Sequence, residues 1–481
     1  MSIRVLGTRL SVLPMRTRMP FKYGIATLTS LPHLFVESDV EIDGVRQRGL
    51  ASDGLPPKWF TKNPDTAFVD DLRDMIAVIR SARDIAVRCG TAPTCFELWL
   101  QICSEQERWA APQKFPALLY NFGVSLIERS ILDALCRAKQ CSLAAAVRAN
   151  LPGIRLREVC AELDGAEPAD LLPRDPLRRV YVRHTIGLAD PLTAADIPPN
   201  ERADDGLPQS LEESIAAYAL THFKIKLCGN AQKDFARLSQ LAAIIEASCS
   251  TFGYTLDGNE QYHTVDEFRT FWDALHAQNS LQHFLKRLIF VEQPFHRDVA
   301  LLKSTGDALL AWKSRPPIII DESDGSLSDL PTALEMGYAG TSHKNCKGII
   351  KGLRNACLLQ HRRRSDATRA YILSGEDLAN VGPVALLQDL AVAATLGVEH
   401  VERNGHHYFA GLSMYSPGVQ AQVLAAHGDL YRKHERGFAA LRITNGHIEL
   451  GSVVDAPFGS AITLDTSAFT PLGKFDLDTV A

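Results

Sequence analysis

The stretch Phe223-Lys224-Ile225-Lys226-Leu227 decides how the rest of the chain is interpreted. Successive side chains of a β-strand point to opposite faces, so Lys224 and Lys226 share one face and the three apolar residues share the other. Two ammonium groups on the inner face of a buried strand would be costly unless that face opens on a polar site. The stretch therefore predicts a buried strand that ends at a catalytic pocket.

Apolar runs of similar length alternate with helical patterns on both sides of this stretch. The eight predicted strands are Val180–Ile186, Phe223–Leu227, Tyr254–Leu256, Leu288–Val291, Ile318–Ile320, Tyr338–Ser342, Tyr371–Leu373 and His400–Glu402. Between them, Ala231–Cys249, Thr264–Asn279 and Pro383–Leu396 carry helix-type patterns. Polar residues follow the strands about every 30 residues, close to the roughly 31 residues per unit of an eight-unit barrel of ~250 residues. We predict an α/β fold built on a (β/α)8 TIM barrel.

The chain outside the barrel has a different pattern. Antiparallel strand patterns such as Leu34–Ile42, followed by helical patterns at Ala67–Arg88 and Gly123–Ala138, predict an α+β capping domain. Near the C-terminus, a Thr-Asn-Gly turn between Leu441–Ile443 and His447–Leu450 predicts a hairpin. The expected domains are the cap at 1–150, the barrel at 151–436 and a C-terminal segment at 437–481 that returns to the cap. The Pro- and Asp-rich stretch Asp190–Pro208 is expected to be a loop inserted after the first barrel strand.

Composition excludes several classes of partner. The chain has 481 residues, of which 46% are hydrophobic and 22% charged, and its formal net charge is −5. So small a charge predicts no nucleic-acid partner and no affinity for anionic membranes, and no apolar stretch is long enough to span a bilayer. Ten scattered cysteines without a CxxC pair, and an N-terminus without the apolar core of a signal peptide, predict a cytoplasmic protein with reduced thiols.

Functional groups stand at the ends of the predicted strands, where barrel active sites lie. Asp257, Glu292 and Asp321 follow three successive strands and would converge at the barrel mouth. Three carboxylates so close repel one another unless a cation neutralises them, and oxygen ligands suit Mg²⁺. Lys224 and Lys226 face them. A lysine acts as a base only when its pKa is lowered, and a neighbouring ammonium group lowers it, so Lys224 is placed to activate Lys226.

Each of these residues alone has a simpler explanation. An acid after an apolar run is most often a helix cap or a solvated turn, and a Lys-x-Lys pair can belong to an exposed edge strand. His406 and His407 can be ordinary loop residues. The recurrence of lysines and acids at successive barrel-unit spacing favours a common site.

At these residues the chain closely resembles the enolase superfamily, and within it the mandelate racemase and muconate lactonizing enzyme branches. The matching motifs are Lys224-Ile225-Lys226, Asp257-Gly258-Asn259, Val291-Glu292-Gln293-Pro294, Asp321-Glu322-Ser323 and Lys344. The resemblance covers nearly the whole chain. It implies that Asp257, Glu292 and Asp321 bind Mg²⁺, that Lys226 is a base on one face of the substrate, and that Lys344 faces the other side.

The sequence departs from the family pattern after the sixth and seventh strands. The sixth strand is polar, and Lys347 follows Lys344 closely; alternation puts Ser342 and Lys344 on one face and favours Lys344. The seventh strand ends in Glu376 and Asp377 without a histidine, so a His–Asp dyad of the mandelate racemase type is not expected. Whether Glu322 or its neighbour Asp321 reaches the metal is open, because neighbours on a strand face opposite ways.

The resemblance implies Mg²⁺-dependent removal of the α-proton of a small-molecule carboxylate substrate through an ene-diolate. Two lysines on opposite faces favour a racemase or epimerase, and a dehydratase or cycloisomerase is the alternative within the family. The alternatives of other classes are a barrel lyase or aldolase with a Schiff-base lysine, and a non-catalytic binding protein. We also expect a homo-oligomer. Residues expected to contact the substrate are Tyr23, Lys58, Asn259, Glu376, Asp377, His406 and His407.

Overall fold

An antiparallel sheet covered by helices forms the N-terminal part of the chain. The structure is a computed structural model and describes residues 1–23 and 25–477. The first strands are β1 (Ile3–Leu13), β2 (Arg16–Tyr23), β3 (Ala26–Ser30), β4 (His33–Ile42) and β5 (Val45–Gly54). A two-residue turn, Asp43-Gly44, joins β4 to β5, and both residues have positive φ (51° and 80°), as the twist of a tight hairpin requires.

Three long helices pack on this sheet: α1 (Phe68–Arg88), α2 (Cys95–Ala110) and α3 (Ala117–Ala138). Gly49 of β5 lies against α3 so closely that a Cβ atom there would stand 1.9 Å from the carbonyl oxygen of Ser130. Only glycine allows the sheet and the helix backbone to approach this far. The predicted antiparallel cap is confirmed, and β2 and β3 form an additional two-stranded hairpin.

Eight parallel strands form the closed barrel, as predicted. They are β6 (Arg179–Ile186), β7 (His222–Lys226), β8 (Gly253–Asp257), β9 (Leu288–Glu292), β10 (Ile318–Ile320), β11 (Gly340–His343), β12 (Ile372–Gly375) and β13 (His400–Arg403). Each pairs with the next, and β13 pairs with β6 to close the ring. Because parallel strands all end at the same rim, the residues that follow them meet there.

Further helices precede, separate and follow the barrel strands. They are α4 (Leu143–Arg148), α5 (Leu156–Val159), α6 (Pro168–Leu171), α7 (Leu211–Tyr218), α8 (Ala231–Ser248), α9 (Val265–His276), α10 (Gln282–Leu285), α11 (Arg297–Ala300), α12 (Lys303–Ala311), α13 (Asp329–Glu335), α14 (Ile349–Ser365), α15 (Ala385–Leu396), α16 (Gly405–Tyr408), α17 (Pro417–Ala426) and α18 (Gly451–Val454). A capping box begins α9, with the Glu267 amide donating to Thr264 Oγ1 at 3.2 Å. In the part of the chain that the structure describes, no helix combines the length and apolarity needed to cross a membrane.

The C-terminal segment pairs differently from the predicted hairpin. Its strands are β14 (Tyr431–Lys433), β15 (Ala439–Leu441), β16 (His447–Glu449) and β17 (Thr470–Pro471). The two predicted hairpin strands do not form one ladder: β15 pairs with β14, whereas β16 pairs with the barrel strand β6. The turn forms, with a single bridge between Thr444 and His447, but the flanking strands pair with β14 and with the first residues of β6. β17 pairs with β1, which brings the end of the chain back to the cap sheet.

The barrel interior is unusually polar near the mouth. TIM barrels are filled mainly by layers of branched apolar residues. Here Phe290, Ile319 and Ala339 form a small apolar cluster separate from the main core, and the Arg183 guanidinium lies 5.4 Å from the centre of the Phe290 ring. Phe290 and Glu292 share a face of β9 by alternation. The apolar cluster therefore supports a layer of charged residues above it.

Candidate active site

Lys224 stands at the centre of the charged layer. Phe223 and Ile225 are fully buried in the apolar core, which turns the lysine side chain inward. Its Nζ lies 2.8–3.0 Å from oxygens of four carboxylates, which belong to Asp257, Glu292, Glu376 and Glu402. Burial alone would lower the pKa of Lys224, but these carboxylates outweigh it and hold the pKa well above its usual value. Lys224 is therefore a charged anchor for the acids around it.

Lys226 lies next to Lys224 and bonds to a single carboxylate. Its Nζ donates to Asp257 Oδ2 at 2.6 Å. Burial lowers its pKa and Lys224 lowers it further, as the sequence suggested, but the carboxylates of Asp257, Glu402 and Glu292 together outweigh both, so the pKa stays above its ordinary value. Activation of Lys226 as a base therefore requires that Asp257 share its negative charge with another cation.

Two lysines approach Asp321 from the sixth strand. Lys344 Nζ lies 2.7 Å from Asp321 Oδ1 and 2.8 Å from Glu376 Oε2, and it stands 5.3 Å from the centre of the Trp59 ring. Lys347 Nζ lies 2.8 Å from the same Asp321 oxygen and also donates to the Asp321 and Ser342 carbonyl oxygens. Burial would raise the pKa of Asp321, but the two lysines hold it far below its usual range. Of the two lysines, Lys344 lines the cavity described below, and Lys347 supports Asp321 from behind.

Glu292, Asp321 and Glu376 form the carboxylate cluster that could hold a metal ion. One oxygen from each lies within 4.8 Å of the others, and all three residues are buried. Glu292 and Asp321 belong to the predicted ligand set; Asp257, the third predicted ligand, lies against the two lysines of β7 instead. Sequence reasoning placed Glu376 at the substrate, whereas its carboxylate lies among the acids below the cavity.

The donor set of this cluster fits Mg²⁺. It consists of carboxylate oxygens, which are the ligands that this ion prefers. Burial and the Glu376 charge raise the pKa of Glu292 well above its ordinary value, and burial and the Asp321 charge raise the pKa of Glu322 to about 8. The negative charge around Glu292 and Glu322 is therefore not fully offset by the nearby cations, and a divalent cation bound there would offset it.

Arg183 supports the cluster from below, and sequence reasoning missed it. It comes from the first barrel strand and is fully buried. Its Nη2 donates to Glu376 Oε1 at 2.8 Å and to Ser374 Oγ at 2.7 Å, and its Nη1 lies 2.7 Å from His400 Nδ1. The signal in the sequence was an arginine inside the apolar run Val180–Ile186, at a position that alternation turns inward.

A cavity opens above the charged layer. Its floor is formed by residues after the barrel strands, including Lys224, Lys226 and Lys344. Its roof comes from the cap and from the loop after β12. The lining comprises Phe21, Leu28, Leu31, Pro56, Lys58, Trp59, Lys62, Lys224, Lys226, Asn259, Glu260, Asp321, Glu322, Lys344, Asp377, Leu378, Ala379, Glu402 and Asn404. The two predicted acid/base lysines thus face the same enclosed space.

Three of the predicted substrate-contacting residues line this cavity. Asn259 is buried there in a left-handed conformation (φ 44°) and has a side-chain oxygen without a hydrogen-bond partner. Lys58 also borders the cavity, but its Nζ donates to the Asn63 carbonyl oxygen at 2.8 Å and pairs with Asp71 at 3.3 Å. Asp377 is paired with Arg403. Neither Lys58 nor Asp377 presents an unpaired charge to the cavity.

The remaining predicted contacts lie elsewhere. His406 and His407 are buried beside His184, outside the cavity lining, and burial holds the pKa of each well below its ordinary value. Nδ1 of His184 lies 3.2 Å from Nε2 of His406. Tyr23 ends β2, and its side chain falls outside the described part of the structure.

Comparison with solved structures shows which known structures have a similar fold. No family model matches the chain, and no curated protein matches it in sequence. A mandelate racemase/muconate lactonizing protein from Herpetosiphon aurantiacus is 16% identical, with a TM-score of 0.60 over 95% of this chain and 98% of its own. An enolase from Bradyrhizobium complexed with magnesium and mandelic acid is 12% identical, with a TM-score of 0.58 over 96% of both chains.

A third solved structure extends the same likeness. The dipeptide epimerase from Enterococcus faecalis, complexed with Mg and the dipeptide L-Leu-L-Tyr, is 15% identical, with a TM-score of 0.59 over 95% of this chain and 99% of its own. The alignments cover cap and barrel together, and so they confirm at the level of fold the resemblance predicted from the motifs. The chain has the two-part fold of the mandelate racemase/muconate lactonizing enzyme structures of the enolase superfamily.

Proposed function

We propose that this protein is a Mg²⁺-dependent enzyme of the enolase superfamily that removes the α-proton of a carboxylate substrate. The observation that carries the proposal is the position of Lys226 and Lys344. They come from the second and sixth strands of an eight-stranded ring, border one enclosed cavity, and stand beside a cluster of buried carboxylates. A substrate between them would meet one amino group on each side.

In this proposal the residues of the site have separate roles. Glu292 and Asp321, with Asp257 or Glu376 as third ligand, would hold Mg²⁺, which supplies positive charge to the developing ene-diolate. Lys226 takes the proton at its Nζ from one face, once Asp257 no longer holds that ammonium group charged. Lys344 returns a proton at its Nζ to the other face. Lys224 stays charged and keeps the surrounding carboxylates in place.

Racemisation or epimerisation follows from a lysine on each face, because a proton removed from one side can be replaced from the other. Elimination or cycloisomerisation would use the same first step, with one lysine as base and the other as electrostatic support. The Trp59 ring and the cap hairpin cover the cavity and would exclude water from it. A Schiff-base lysine is a weaker candidate, because both lysines are ion-paired with carboxylates that raise their pKa.

Deuterium exchange tests the proposal directly. The purified protein is incubated in D₂O with a library of chiral carboxylic acids, with Mg²⁺ or with EDTA, and loss of the α-proton signal is followed by NMR. We expect Mg²⁺-dependent exchange with at least one acid. Lys226→Ala should abolish turnover and leave the melting temperature and Mg²⁺ binding in place. Exchange at the wild-type rate in that variant would contradict the role of Lys226.

A further inference from the structure

The roof of the cavity is apolar, and this limits the substrate. Phe21 of β2 and Leu28 of β3 are register partners in the cap hairpin, so their side chains lie side by side on one face of it. Leu31 and Trp59 continue the apolar surface, and Leu378 closes it from the loop after β12. All five residues are at most 8% exposed. This roof therefore offers a substrate contact area with little polar character.

The charged residues near the roof are already paired. Lys58 is bound to Asp71 and to carbonyl groups of its own loop, and the Lys62 Nζ lies 3.3 Å from Glu260 Oε2. Both ammonium groups already contact a carboxylate, and Lys62 shares Glu260 with Arg297.

The acids on the cap side are paired in the same way. Arg297 donates to both oxygens of Glu260, at 2.7 and 2.8 Å, and Arg403 pairs with Asp377. The other acids of the lining, Asp321, Glu322 and Glu402, belong to the floor, where Glu322 Oε2 has no hydrogen-bond partner in the described structure. An ammonium group at the distal end of a substrate would therefore find no unpaired acid in the described part of the roof.

The hairpin is held in place over the cavity. Arg18 of β2 donates to the carbonyl oxygens of Pro208 and His407, both at 3.0 Å, and to Asp205. The Phe21 ring stacks on Tyr408, with ring centres 4.0 Å apart. The loop inserted after the first barrel strand and the segment after the eighth thus fix the apolar face toward the charged floor. These contacts therefore fix the position of the roof above the cavity.

We infer that the substrate carries one carboxylate, held at the floor, and an uncharged apolar substituent, such as an aryl or branched alkyl group, under Phe21, Leu28 and Leu31. The inference rests on the proposed function and adds the substrate class to it. A charged group of the same size would lose its hydration beneath this roof without gaining a partner. A pocket discriminates by about tenfold or more between substituents that differ in this way.

Matched probes test the inference. Calorimetry with Mg²⁺ present measures the Kd of 2-hydroxy-4-methylpentanoate, 3-phenyl-2-hydroxypropanoate, 2-hydroxyglutarate and 2-hydroxy-6-aminohexanoate, and NMR in D₂O follows their α-protons. We expect the two apolar acids to bind at least about tenfold more tightly than the two with a charged end. Leu28→Lys should reduce that preference about tenfold and improve binding of 2-hydroxyglutarate, whereas the exposed Leu302→Lys should leave the ranking unchanged.

Each outcome decides a different claim. Equal or tighter binding of a charged probe by the wild-type protein overturns the inference, and exchange of that probe's α-proton would still support the proposed function. Binding of the apolar acids without exchange supports the apolar roof and counts against proton transfer. Binding of none of the four overturns the inference, since the roof would then hold neither apolar group. The wild-type ranking decides the question even if Leu28→Lys does not fold.

Discussion

Glu128 joins the capping domain to the barrel and gives a prediction that can be worked out in full. Its buried carboxylate accepts hydrogen bonds from the backbone amides of Ile349, at 2.9 Å, and Ile350, at 2.7 Å, at the start of α14. Amides in the first turn of a helix have no partner within the helix, and negative charge is favourable there. Because α14 follows Lys344 in the chain, this contact ties α3 of the cap to the side of the barrel that carries Lys344.

The hydrogen bonds to Glu128 do not fully offset the cost of burying its negative charge. Burial raises the pKa of Glu128 to about 7 from an ordinary value of 4.5, against the opposing effect of the two amides and Arg129. A carboxyl group with a raised pKa binds its proton more tightly in the folded state, so stability falls as pH rises from about 4.5 to 7. At about 1.36 kcal/mol per pH unit, the full difference is about 3 kcal/mol, and about 2 kcal/mol of it lies between pH 5.5 and pH 8.

Glu128→Gln should remove this dependence, because the amide carries no charge; its single oxygen replaces only one of the two acceptors, and that loss is the same at both pH values. Urea titrations at pH 5.5 and pH 8 give the free energy of unfolding of both proteins. We expect the variant to gain about 2 kcal/mol more, relative to wild type, at pH 8 than at pH 5.5. The exposed Glu107→Gln on α2 is the control and should show no such difference. A stability difference between wild type and Glu128→Gln that is the same at both pH values would refute the reasoning.

Two further predictions concern the charged layer. Arg183→Met should lower the free energy of unfolding by about 3–5 kcal/mol, because it leaves Glu376 buried without its guanidinium partner; a loss below about 1 kcal/mol in urea titrations would contradict this role of Arg183. Mg²⁺ at about 100 times its Kd should stabilise the wild-type protein by about 2.7 kcal/mol, and Asp321→Asn should lose this gain. Thermal unfolding with Mg²⁺ and with EDTA measures it, and equal shifts in both proteins would argue against Asp321 as a ligand.

The barrel could be predicted from sequence because most of its strands are short apolar runs followed by a polar residue and recur at a regular spacing. The eight predicted strands agree with β6–β13 to within two residues at each end. Prediction was less successful where tertiary pairing decides the structure. The Thr444-Asn445-Gly446 turn did not determine which strands pair, because β14 and β6 offered the partners for the strands beside it.

The candidate site was predictable in its residue types and less so in its pairings. Alternation along β7 correctly turned Lys224 and Lys226 inward, but no sequence pattern shows that four carboxylates surround the first and one the second. That difference depends on how far the lysine and carboxylate side chains extend across the barrel. Two other contacts could not be predicted from sequence either. The Glu376 side chain binds Arg183, and the His406 side chain packs beside His184.

The central claim is that Lys226 and Lys344 act on opposite faces of one carboxylate substrate. α-Proton exchange in D₂O, measured by NMR for each enantiomer of a substrate with wild type, Lys226→Ala and Lys344→Ala, tests it most directly. We predict that each variant loses exchange with a different enantiomer and retains some exchange with the other. Wild-type exchange of both enantiomers by Lys226→Ala, or loss of the same enantiomer alone in both variants, would contradict the claim.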